Sequence, residues 1–216
     1  MATEKRPKNP SVTFSCQRCG KCCSDMDNLA LFEWETERLQ RLSQQHGVNL
    51  DIRPGVTAKA GKMTIILQWG LKSKTGVCPF LKTNEDGSRG CSIYDDRPMV
   101  CRAFPLSRSG LNGTDELISM DCPSAIIPFG DKEKVVRSEF FTRMKGYYGE
   151  VFDAAFRLDA ARFWIGDMVK FVAPRLPDVK NEQIGLLELA IREGIYDKEF
   201  LDREIKSLEY LKFSRP

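Results

Sequence analysis

Four of the chain's eight cysteines fall within eight positions, in "FSCQRCGKCC" (residues 14–23). No other feature narrows the possible fold as far, because thiols gathered so densely are oxidised, buried or used as ligands. Cys16, Cys19 and Cys22 form C-x-x-C-x-x-C. In C-x-x-C two sulfurs converge on one metal while the intervening backbone N–H groups turn toward the thiolates, and Gly20 permits the positive φ that such a knuckle needs. The triple also has the spacing that wraps three corners of an iron–sulfur cubane in bacterial-type ferredoxins. A later cysteine followed by proline supplies a further ligand there, and Cys78 ("CPF") and Cys122 ("CPS") both offer that dipeptide. Cys23 departs from the ferredoxin pattern. Adjacent side chains point apart, so it serves a second metal or stays a free thiol of low pKa. Cys101 lies near the start of a short expected helix, "RPMVCRAF", where the helix dipole favours a thiolate.

Two blander readings compete. Free cysteine buries readily as a small apolar residue, so any single one, Cys122 for instance, could simply be core. Disulfides are the other. The compartment argues against them: "MATEKRPKNPSVTF" has no apolar stretch after its basic residues, so no secretory signal is expected. "MTIILQW" (63–69), the most apolar run, has the length of a strand and is far too short for a membrane span. The protein is expected to be cytoplasmic, where thiols stay reduced and clustered cysteines mean metal or catalysis.

Four thiolates around Zn²⁺, or around a [4Fe–4S]²⁺ core, leave a net charge of −2, and burying that charge requires cations and donors. Arg18, Lys21, Arg97 and Arg102 flank the cysteines and are the candidate cofactor-binding cations. Of 33 basic and 30 acidic side chains, residues 1–130 hold 17 and 14, so the whole excess lies in the cysteine-bearing part. A net charge of +3 is too small to argue for nucleic acid or an anionic membrane.

The expected fold class is α+β. Residues 1–13 read as a loose tail, 14–130 as an irregular cysteine-rich metal-binding body of short strands and helices, and 131–216 as a packed C-terminal helical region. Leu39 and Leu42 among charged residues, with Gly47 as a stop, predict an amphipathic helix over about 32–46. A strand is expected at 63–69, short extended pieces around Cys78 and Cys91, and a tight turn at Asp86-Gly87. "GVTAKAGK" lacks the final Ser or Thr of a P-loop and is read as a loop. In "YDDRPMVCRAFP", Asp96 can cap, Pro98 suits a first helical position and Pro105 closes the segment. Beyond 132, Val135, Phe140, Phe141, Met144, Phe152, Phe156, Phe163 and Met168 recur at helical spacing and are read as core. Pro174 and Pro177 end that stretch, and two further helices open on Asn181 and Asp197. The run "DKEFLDREIKS" reads as a solvated helix face.

The single histidine, His46, is expected at a helix C-terminus. Its solitude removes Ser-His-Asp and Cys-His catalysis and three-histidine zinc sites, and no catalytic residue emerges.

The ordered pattern C-x-x-C-G-K-C-C, C-P-F-L, C-S-I-Y-x-x-R-P-x-x-C-R-x-F-P and D-C-P resembles the YkgJ, or CxxCxxCC, family over about residues 14–125. Members are described as zinc- or iron-chelating domains and often labelled Fe–S oxidoreductases, and a related cysteine domain occurs in flagellin lysine-N-methylases. The resemblance implies that Cys16, Cys19, Cys22, Cys23, Cys78, Cys91, Cys101 and Cys122 are metal ligands, without dividing them among sites. The expected protein carries one or two iron–sulfur clusters, [4Fe–4S] ahead of zinc, in an electron-transfer or redox-support role. A zinc-stapled interaction module and a methylase-like enzyme, or a subunit of one, are the alternatives. A protein partner is expected at the C-terminal helices.

Overall fold

A computed structural model describes residues 13–24, 26–106, 118–119, 121–126, 137–176 and 181–211, apart from the side chains of residues 137, 138 and 140. The class is α+β, as expected. In order come α1 (Lys21–Ser24), β1 (Asn28–Leu31), α2 (Glu33–His46), β2 (Asp51–Ala60), β3 (Met63–Lys72), β4 (Leu81–Thr83) and β5 (Arg89–Cys91). Then follow α3 (Met99–Ala103), α4 (Arg137–Tyr148), α5 (Glu150–Val172), β6 (Gln183–Gly185), α6 (Leu186–Arg192) and α7 (Lys198–Tyr210).

The centre is β3, whose alternating and then continuous apolar residues bury Met63, Ile65, Ile66, Leu67 and Leu71. β2 pairs along the whole of one edge of β3, antiparallel, whereas the other edge takes β1 antiparallel at 69–72 and β6 parallel at 64–66. The C-terminal region thus contributes a strand to the sheet of the cysteine-bearing part. Over the same sheet, α5 and α6 bury Leu158, Ile165, Met168, Leu186 and Leu189 together with Phe32 and Met99.

Several expectations hold. α2 begins one residue after Phe32 and ends on Gly47 at φ 63, the left-handed conformation that glycine adopts without a Cβ penalty. Asp197 caps α7 by accepting the Phe200 N–H at 2.7 Å. β4 and β5 form the hairpin whose turn holds Gly87 at φ 79.

Others are corrected. "GVTAKAGK" is not a loop: Val56–Ala60 complete β2, and Gly61 at φ 58 turns the chain into β3. Pro54 and a register irregularity at Pro54–Thr57 disguise β2 as a broken segment, yet both are tolerated because β2 is an edge strand. Asn181 caps nothing, because Gln183–Gly185 form β6 and Gly185 precedes α6. The N–H groups of Leu187 and Glu188 instead donate to the Glu33 carboxylate, each at 2.9 Å, so a side chain from α2 caps α6 from across the fold. Pro98 is the residue before α3 and not its first, and Asp96 does not cap it. The long helical stretch breaks at Gly149, φ 52, into α4 and α5. Phe156 and Phe163 are exposed, Phe163 by 71%, so they are not core. Val135 and Pro177, the side chain of Phe140, and the tail up to residue 12 lie outside the described residues.

Candidate metal centre

All eight cysteines are free, and all eight line one cavity of about 140 Å³. Five segments that are distant in sequence bring them there. Cys16 and Cys19 sit on the irregular approach to α1, which carries Cys22 and Cys23. Gly20 holds φ 71, and a Cβ on it would stand 2.9 Å from a methyl group of Leu81 in β4. Only glycine lets the approach lie flat on the β4–β5 hairpin with that backbone. Cys78 lies in the turn before β4, not in an extended piece, and its N–H donates to the Cys23 carbonyl at 2.7 Å. Cys91 ends β5, opposite Leu81. Cys101 is on α3, and Cys122 lies in the 121–126 segment.

Much of the remaining wall is apolar, with Met26, Leu39, Leu71, Phe80, Ile93 and Val100. Cys78 is the most buried of the eight, whereas Cys16, Cys19 and Cys22 are exposed. Cys22 and Cys23 place their sulfurs 3.9 Å apart. The Cys23 thiol is shared as a hydrogen-bond donor with Cys22 and Cys78, which pulls each of those two down to about 7 and pushes Cys23 up. Burial raises Cys91, Cys101 and Cys122; Cys101 is pushed up furthest, with the charges of Cys78, Cys22 and Cys91 adding to the effect. The expected low-pKa thiolates at Cys23 and Cys101 are therefore not found in the metal-free chain. A dipole from the five residues of α3 is too weak to offset burial among other thiols.

In metal-free, reduced protein, alkylation of Cys22 and Cys78 by iodoacetamide is expected to accelerate as pH rises through about 7, while Cys101 stays slow until far higher pH. Mass spectrometry of tryptic peptides reads each site, and equal rates at all eight would contradict the environment described.

The candidate cations divide. Arg18, Lys21 and Arg97 line the cavity. Arg18 and Arg97 lie on the Tyr94 ring, 4.1 and 3.7 Å from its centroid, and Arg97 Nε donates to the Tyr94 carbonyl at 2.7 Å. Among the described residues neither guanidinium is in an ion pair. Arg102 does not line that cavity; it lines a small second one with Ala154, Arg157 and Glu209, and burial lowers its pKa.

Sequence reasoning missed Glu35. It is 1% exposed and accepts the N–H of Met99 at 2.7 Å and of Phe32 at 3.0 Å. It thereby ties the start of α3, and with it Cys101, to α2. A signal existed: Glu35, Leu39 and Leu42 follow i, i+4, i+7, placing an acid on the apolar stripe. Tyr147 and Tyr148 of α4, which hold the 121–126 segment, carried no comparable mark.

A cavity lined by thiols has a donor set suited to soft or borderline metals, and its apolar residues together with Arg18 and Arg97, in no ion pair among the described residues, suit a buried anionic assembly. Among the described residues no three Cys, His, Asp or Glu side chains are already gathered tightly enough to hold an ion. The class defined by this fold and site is an α+β protein with a cysteine-lined chelation cavity. Residues 15–125, about half of the chain, match the model of the CxxCxxCC family, described as "Putative zinc- or iron-chelating domain", and the chain belongs to that family. Chelation of zinc or iron is thus the chemistry supported for it. No curated protein and no solved structure matches the chain.

Proposed function

We propose that the protein is an iron–sulfur protein of the [4Fe–4S] type, with Cys16, Cys19, Cys22, Cys23, Cys78, Cys91, Cys101 and Cys122 as its ligands and electron transfer or redox support of a partner as its role. The observation that carries this reading is the convergence of eight free thiols from five segments on one cavity. A single tetrahedral ion uses four thiolates, and the surplus suits clusters. When bound, such a cluster would supply one-electron transfer. The chain's own residues would do the rest. The cysteines bind, the Met26, Leu39, Leu71 and Phe80 wall excludes water, and Arg18, Lys21 and Arg97 offset negative charge at the rim.

One observation favours zinc as a second reading: Gly20 at φ 71, directly after Cys19, is the backbone of a zinc knuckle. Elemental analysis of protein purified without oxygen decides. Brown protein with iron and acid-labile sulfide supports the first reading; colourless protein with stoichiometric zinc supports the second; neither element in either form overturns both. Cys19→Ser is expected to lower bound metal and soluble yield together, since binding energy is folding energy at such sites. Cys19→Ser protein that folds and loads like its parent would remove Cys19 from the ligand set.

Eight free cysteines fit a reducing, cytoplasmic setting, and among the described residues no helix is long and apolar enough to cross a membrane. A protein partner would meet α5 and α7, where Phe163 and Tyr210 are each 71% exposed.

A further inference from the structure

We propose that the eight thiols form two separately anchored metal-binding groups, an outer trio of Cys16, Cys19 and Cys122 hung from two tyrosines of α4, and an inner set of Cys22, Cys23, Cys78, Cys91 and Cys101 held by the sheet-side core. The proposal rests on the metal-binding reading and concerns how the ligands divide, which the motif leaves open.

Three of the inner five, Cys23, Cys78 and Cys91, are bound into one apolar cluster. Cys23 and Cys91 pack against buried Cys78, Phe80 and Ile93, and Leu31, Leu39 and Leu71 complete that cluster. The Cys78 N–H donates to the Cys23 carbonyl at 2.7 Å, and the Ser92 N–H donates to the Phe80 carbonyl at 2.9 Å, so the segments of Cys23, Cys78 and Cys91 are stitched to each other by backbone. Cys22 lies beside Cys23, sulfur to sulfur at 3.9 Å. Cys101 is tied to α2, which also supplies Leu39 to that cluster, because Glu35 holds the Met99 N–H at the start of α3, while Met99 and Ala103 pack with α5 and α6.

The outer trio hangs elsewhere. The Phe14 N–H donates to the Tyr147 carbonyl at 2.7 Å, and the Phe14 ring lies 5.3 Å from that of Tyr148. Tyr147 Oη donates to the Ser124 carbonyl at 3.0 Å. Tyr148 Oη donates to the Ile126 carbonyl at 2.6 Å and accepts the Ile126 N–H at 3.2 Å. Two adjacent tyrosines therefore hold both the segment that leads to Cys16 and the segment that carries Cys122. Phe14 and Ile126 pack with them in a third apolar cluster, one that shares no residue with the cluster of Cys23, Cys78 and Cys91. Gly20, pinned on Leu81, falls between Cys19 and Cys22 and marks the boundary. Groups anchored to different cores can open separately, since local opening follows the contacts that hold each segment.

The test uses metal-loaded full chain under reducing, oxygen-free conditions, with stepped EDTA, iodoacetamide to trap each freed thiol, and mass spectrometry alongside elemental analysis. Cys16, Cys19 and Cys122 are expected to become labelled together at the lower EDTA step, with loss of part of the metal, while the inner five stay protected until a later step. Joint Tyr147→Phe and Tyr148→Phe substitution removes the hydroxyl contacts and is expected to speed labelling of the trio about tenfold, leaving the inner five at their original rate. Labelling of all eight in one step, or of the trio without metal loss, overturns the division while leaving metal binding intact. Protein that holds no metal, with all thiols open from the start, overturns both. The unsubstituted chain alone decides the point if the tyrosine variant does not fold.

Discussion

Removing bound metal from the reduced full chain is expected to open the cysteine-bearing segments, with amide exchange at 14–24, 76–93 and 121–126 rising at least a hundredfold. Structural zinc sites in small peptides supply about 10–16 kcal/mol, while whole domains are stable by only about 5–15 kcal/mol. Once the metal is gone, little else holds these segments. Residues 14–20 have no secondary structure, α1 is one turn long, and β4 and β5 have three residues each. The core of α5, α6 and β3 contains no cysteine, so exchange there is expected to change far less. Hydrogen exchange with and without chelator measures both. Unchanged protection in the cysteine segments would mean that the thiols are packing residues and that the metal reading is wrong.

Glu35→Ala is expected to cost about 3–5 kcal/mol, the range for removing one partner from a buried charged network. The carboxylate meets the N–H groups of Met99 and Phe32 and lies 3.6 Å from Arg38, with Arg102 also in its field. Without it two buried donors are orphaned and the guanidiniums face one another. Chemical denaturation would show the loss, and Glu35→Gln, which keeps an acceptor, should recover part of it. The pH profile gives an independent check. Burial, the largest influence, raises Glu35 above its ordinary 4.5. The folded state therefore holds that proton longer than the unfolded chain does, and stability declines as pH rises from 4.5 through the raised value. Glu33 acts in the same direction, also through burial, so Glu35→Ala should flatten the decline without abolishing it. A mutant within about 0.5 kcal/mol of its parent would mean that α3 needs no such anchor.

Local chemistry was legible, and long-range closure was not. Gly47, Asp197 and Gly87 act on neighbours within a few residues, and each does what its type predicts. Asn181 failed for the opposite reason. A capping residue only proposes a helix start, and here β3 recruits the following residues as a parallel strand while Glu33, far away in sequence, caps α6. β2 was hidden because an exposed edge strand has no buried face to print an alternation on its residues. Phe156 and Phe163 share a helical face with each other, but periodicity cannot say which face of α5 meets the sheet. In the candidate site the cysteines announced themselves by spacing, whereas the supports did not. Glu35 looks like Glu33 and Glu37 until the register of Leu39 and Leu42 is considered, and Arg102 lines a different cavity from the one that Arg97, five residues earlier, shares with the thiols.

The parallel pairing of β6 with β3 has a consequence for the boundaries of the family match. The shared stretch ends at residue 125, but the partner strand and the helices that roof Met63, Ile65 and Leu67 come from beyond it. Cut at that boundary, the chain would present a greasy, half-hydrogen-bonded sheet to water, the kind of surface that drives aggregation. What is inherited as a recognisable unit is thus shorter than what must be synthesised before this molecule can stand alone.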